Sequence, residues 1–158
     1  MDGAQLARLR GEVVRGVDQH FNFRPATNGA RLHVEVVFVD NPANAHLTAM
    51  AHPGDGPANV YNWFVEGSAT THAHEIGHAA FGLKDEYVDP SGLAQGRKAP
   101  GDFNVHTDDS LMGDYWVRDG NGRPVLDANG KLMTNPQTTL KQRHTDEIER
   151  QLPPPTKP

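Results

Sequence analysis

The chain contains no cysteine, so disulfides, thiolate metal sites and thiol nucleophiles are excluded together, and any transition metal must be held by histidine and carboxylate. No apolar run approaches the roughly 18 residues of a bilayer span. The start, Met1-Asp2-Gly3-Ala4-Gln5-Leu6, lacks the basic and apolar regions of a secretory signal, which suggests a soluble chain with no export address of its own. Neither sign of charge forms a block. Fifteen Lys and Arg stand against 20 Asp and Glu, for a formal net charge of -5, and the electrostatic footprint of a nucleic-acid binder is missing. Apolar residues make up only 36% of the chain, beside 16 Gly and 12 Pro, so much loop is expected around a modest core. What is abundant is histidine: nine residues, which directs attention to metal.

A chain of 158 residues is of single-domain size. The expected organisation is one domain over residues 1–152 and a Pro-rich tail or linker over 153–158. Leu6, Leu9, Val13 and Val17 recur at helical spacing and predict a first helix over residues 5–19. Residues 31–39 are rich in β-branched side chains, with Leu32, Val34, Val36 and Phe38 on one face and Val37 and Val39 on the other, which predicts a central strand. Residues 46–51 suit a short second strand, and residues 58–65 a third. Thr70 or Thr71 can cap a helix that carries His74, Glu75 and His78 and ends at Gly82. The related sequences Asp119-Gly120-Asn121-Gly122 and Asp127-Ala128-Asn129-Gly130 predict two turns in a β-meander over residues 115–133; each lacks the further carboxylates of a calcium loop. Asn135, with Pro136 behind it, reads as the cap of a last helix bearing Leu140, His144 and Ile148 on one face.

His74 and His78 are four residues apart, one helical turn, and can share a single Zn²⁺. Glu75 lies beside them without ligating and is placed to act as a general base. In a chain with nine His and seven Glu, His-Glu-x-x-His arises by accident in roughly 2 chains in 100. The pentapeptide alone therefore does not decide. Gly82 can adopt the left-handed conformation that ends the helix and turns the chain back, so Asp85 can face the same metal. Two His and one carboxylate leave a coordination position for water, the open arrangement of catalytic zinc. Glu86 is the rival third ligand.

In order, His74, Glu75, His78, Gly82, Asp85 and the segment Asp109-Ser110-Leu111-Met112-Gly113 resemble the metzincin clan of zinc peptidases, whose motif is followed by a Met-turn. Gly82 stands four residues after His78 where most of the clan has three, and this longer form, ending Gly82-Leu83-Lys84-Asp85-Glu86-Tyr87, is similar to IgA-peptidase-type metallopeptidases and to peptidase modules of bacterial toxins. The resemblance covers residues 73–115. It implies an α+β, metzincin-like domain with a short mixed sheet over residues 31–65, an N-terminal helix, an active-site helix and a C-terminal helix. It also implies zinc as cofactor, a peptide or protein substrate, and Met112 in the Met-turn. Tyr115 is a candidate for hydrogen-bonding an oxyanion, although the clan's spacing is shorter. His144 is either a buried, backbone-satisfied histidine or a catalytic helper near the metal. His46, His52, His72 and His106 are taken as structural. If residues 58–65 form the edge of the sheet beside the cleft, a substrate could add to it as a strand.

The expected activity is zinc-dependent endopeptidase, with His74, His78 and Asp85 as metal ligands and Glu75, Tyr115 and His144 as catalytic candidates. Two alternatives stand beside it. One is a toxic effector domain of a larger secreted bacterial protein, with a parent chain or secretion machinery as partner. The other is a non-catalytic binding module stabilised by zinc.

Overall fold

The computed structural model describes residues 1–88 and 99–153. The proposed Pro-rich tail falls almost wholly outside these residues, as does part of the loop between residues 88 and 110. The chain forms two compact units, one of Met1–Leu83 with Leu140–Pro158 and the other of Lys84–Thr139. Among the described residues the fold is α+β, with three α-helices and a two-stranded parallel sheet. No helix among them is long and apolar enough to cross a membrane.

In the first unit, helix α1 spans Gly3–His20. Asp2 accepts from the Gln5 N–H while the Gln5 side chain accepts from the Asp2 N–H, a reciprocal cap that satisfies two backbone donors left open at a helix start. Its Leu9, Val13 and Val17 are buried, following the apolar stripe in the sequence. Helix α2 spans Ala69–Phe81 and packs along α1. The two backbones approach closely at Gly16, where a Cβ would overlap the carbonyl oxygen of Ala69. Phe21 and Phe81 close one end with ring centroids 5.3 Å apart, and a buried hydrogen bond joins His20 Nε2 to Thr70 Oγ1 at 3.1 Å.

The cap of α2 is Ser68, whose hydroxyl accepts from the Thr71 N–H at 3.1 Å, and not Thr70 or Thr71. The helix thus begins one residue before the earlier of the two predicted caps. The last helix, α3, spans Gln142–Gln151 and starts beyond the expected Asn135 cap. Asn135 instead closes a turn, its side chain accepting from the Gln137 N–H and its carbonyl from the Thr138 N–H. Thr139 then bridges to Ser110 before a helix can start. Helix α3 is tied to the loop after α1 by Thr145 Oγ1 donating to the Pro25 carbonyl and by Asp146 accepting from both the N–H and hydroxyl of Thr27.

The sheet departs most from the sequence expectation. Strand β1, Met50–His52, pairs in parallel with β2, Asn62–Phe64, so the sheet is parallel rather than mixed and each strand is shorter than predicted. Residues 32–39 join no strand. Arg31 bridges to Pro25, Leu32 exchanges backbone hydrogen bonds with Phe23 and Arg24, and the Asn22 side chain then bonds both the N–H and the carbonyl of Val34. The side-chain amide supplies what a neighbouring strand would, but for one residue only. Beyond it Val37 is 68% exposed, and Phe38 lies under the Arg10 guanidinium.

In the second unit, bridges at Trp116 with Thr134, Arg118 with Pro124 and Leu126 with Leu132 form the small antiparallel meander expected there. Its turns are set by Asp119 and Asp127. Oδ1 of Asp119 accepts from the N–H groups of Asn121 and Arg123, and Oδ1 of Asp127 from those of Asn129 and Lys131.

Candidate metal centre

Helix α2 is what aligns the two histidines. Their Nε2 atoms face each other at 3.0 Å with the rings edge-on, His74 being buried and His78 partly so. Two nitrogens bound tetrahedrally to one zinc lie about 3.3 Å apart, given Zn–N bonds of about 2.0–2.1 Å. The spacing therefore needs only slight opening to accept the ion.

The helix end fixes which face of His78 points inward. Gly82 adopts φ 63° and ψ 20°, a left-handed conformation that costs glycine little, and its N–H bonds back to the His78 carbonyl. The Leu83 N–H bonds to the Gly77 carbonyl at 3.0 Å. This reversal carries the Leu83 carbonyl to 2.6 Å from His78 Nδ1, which donates its proton there. With Nδ1 protonated, neutral His78 presents a lone pair at Nε2. A ring N–H held by a backbone carbonyl is the support that metal-bound histidines ordinarily have.

Asp85 completes the group: one ligand atom from each of His74, His78 and Asp85 lies within 4.8 Å of the others. The donor set, two imidazoles and a carboxylate, suits zinc chemically and also other borderline divalent ions. Glu75 is the next residue after His74 on α2 and is 7% exposed, a burial that a carboxylate accepts only where it is engaged.

Glu86, the rival ligand, is turned to other partners. Its Oε2 accepts from the Ser110 hydroxyl at 2.6 Å and its Oε1 lies 3.9 Å from His106 Nε2. Ser110 begins the tight turn expected around Met112: the Gly113 N–H bonds to the Ser110 carbonyl, the Met112 N–H to Ser110 Oγ, and Met112 is fully buried. Tyr115 is buried in the second unit, with its ring centroid 4.7 Å from that of Trp116 and its carbonyl accepting from Asn135. His144, in the first turn of α3, is buried and accepts the Lys141 N–H at Nδ1.

His72, two residues before the first ligand, is fully buried with its ring centroid 5.7 Å from that of Trp63. Burial pushes its pKa below the ordinary histidine value; Glu12 and the backbone oxygens of Gly67 and Phe64 oppose that only in part. It is a neutral core residue. Two contributors to the site gave no readable signal in the sequence: the Leu83 carbonyl, because a backbone group has no side-chain signature, and Ser110 as the partner of Glu86, because the two are 24 residues apart.

No family model, no curated protein and no solved structure matches the chain. Its own side chains therefore carry the functional reading.

Proposed function

We propose that the chain is a zinc-dependent endopeptidase. The observation that carries this reading is the pair of Nε2 atoms 3.0 Å apart, with His78 Nδ1 held by the Leu83 carbonyl and Asp85 beside them. His74, His78 and Asp85 would hold the metal. Zinc bound there supplies a Lewis acid that polarises a scissile carbonyl and brings the pKa of water towards neutrality. Glu75 takes the proton of the attacking water and later delivers it to the leaving amine, remaining outside the ligand set throughout. A purely structural zinc site is normally closed by four protein ligands, whereas the group found among the described residues supplies three, which supports catalysis over a metal-stabilised binding module.

The test is metal content by elemental analysis together with hydrolysis of casein and of a broad peptide pool. Glu75→Ala is expected to keep zinc and lose at least 100-fold in turnover, on the order of a general base's contribution. His78→Ala is expected to lose both. Turnover in Glu75→Ala equal to the parent would overturn the assignment, and zinc without hydrolysis in the parent would leave the binding module as the reading.

A further inference from the structure

We propose that Ser110 and Glu86 form a strut that positions Asp85, so that Ser110 controls metal affinity without touching the metal. This rests on the metal-centre reading above. Asp85 sits between two pinned points of the chain. Two residues before it, Leu83 is held by the Gly77 carbonyl and gives its own carbonyl to His78. One residue after it, the Glu86 N–H bonds to the Met112 carbonyl at 2.7 Å and the Glu86 carbonyl accepts from the His106 N–H at 2.9 Å. Its carboxylate accepts from the Ser110 hydroxyl at 2.6 Å, and the same hydroxyl oxygen accepts from the Met112 N–H at 3.1 Å.

Both side chains are buried: Glu86 is 7% and Ser110 1% exposed. A buried carboxylate that loses a charge-assisted hydrogen bond has a strong drive to turn towards water. Turning Glu86 moves the peptide it shares with Asp85. The strut therefore does two things at once. It engages the Glu86 carboxylate with Ser110, and it fixes the chain beside Asp85. The ambiguity between two neighbouring carboxylates in the sequence is resolved by a serine 24 residues downstream.

The probe is Co²⁺, titrated into the whole chain and followed by its visible d–d absorption, which reports ligand geometry as well as affinity. Ser110→Ala is expected to bind Co²⁺ about 10–100-fold more weakly than the parent, the usual effect of losing an outer support of a metal ligand, with an altered band shape. Ser110→Thr keeps the hydroxyl and restores both. In an Asp85→Asn background Ser110→Ala is expected to have no further effect, because the residue through which it acts is already gone. Parental affinity in Ser110→Ala, or an equal loss in the Asp85→Asn background, overturns the strut while leaving the metal centre standing. A parent chain that does not bind Co²⁺ overturns the metal centre itself. Should Ser110→Ala fail to fold, Glu86→Gln gives the answer: its amide oxygen still accepts from Ser110, so near-parental affinity is expected, and a 10-fold or greater loss refutes the proposal.

Discussion

Replacing Gly82 by alanine isolates the backbone contribution to the proposed metal centre. Gly82 holds φ 63° at the end of α2, and a Cβ built there meets nothing within 4 Å. No steric clash with neighbours is therefore involved. The cost is that of an L-residue in the left-handed region, about 1–2 kcal/mol. Asparagine tolerates that region better, so Gly82→Asn should cost clearly less. With a urea m-value of about 2 kcal/mol/M, the alanine variant's midpoint falls by about 0.5–1 M. Far-UV circular dichroism across a urea series reads this shift, and the m-value should stay constant. The same variant should bind zinc about 10-fold more weakly, because relaxing the turn withdraws the Leu83 carbonyl from His78 Nδ1. An alanine variant as stable as the parent, or an alanine variant more stable than the asparagine one, would refute the reasoning. It would mean that the helix end is not held by the left-handed residue.

Gly16→Ala is expected to destabilise by at least about 1–3 kcal/mol in thermal melts, because the new Cβ meets the Ala69 carbonyl, a backbone group that cannot rotate aside; an unchanged melting temperature would show that the helices do not approach as described. Stability should fall with acidity through His72. Its folded pKa is depressed by burial, so below the unfolded value, ordinarily about 6.5, the unfolded chain binds the proton first. The contribution is complete above that value and drains away as pH falls towards the folded pKa. Urea midpoints at pH 7.5 and 5.5 should differ less in His72→Phe than in the parent, and an identical pH dependence would remove His72 from the account. The Glu75 and His78 variants complete the set, separating metal binding from turnover.

The helices and the facing of His74 and His78 were legible in the sequence because they depend on local periodicity. Leu9, Val13 and Val17 face the core at the spacing that announced them, and Gly82 ends α2 where a glycine was needed. The meander turns were legible for the same reason, since Asp119 and Asp127 bond to N–H groups two and four residues on. The sheet was not. Residues 31–39 carry strong β-propensity, but propensity does not supply a partner strand, and the partner of Val34 is the Asn22 side chain. The start of α3 was misplaced because Asn135-Pro136 serves a turn as well as it serves a helix, and the bridge from Thr139 to Ser110 lies outside any local pattern. At the site, the two histidines needed only one helix, whereas the partner of Glu86 is a serine 24 residues away that no local pattern announces.

The clamp of Asn22 on Val34 ends where an exposed apolar stretch begins. After that single residue the sequence runs Glu35-Val36-Val37-Phe38-Val39, without proline or glycine, and Val37, Phe38 and Val39 are each more than 40% exposed. Short segments of this composition are the seeds from which chains stack into insoluble β-aggregates. Glu35 and Asp40 stand at either side as the charges that oppose such stacking. Aggregation from a concentrated solution, rising with salt that screens those two carboxylates, is therefore expected to start in this stretch, far in sequence from His74 and His78.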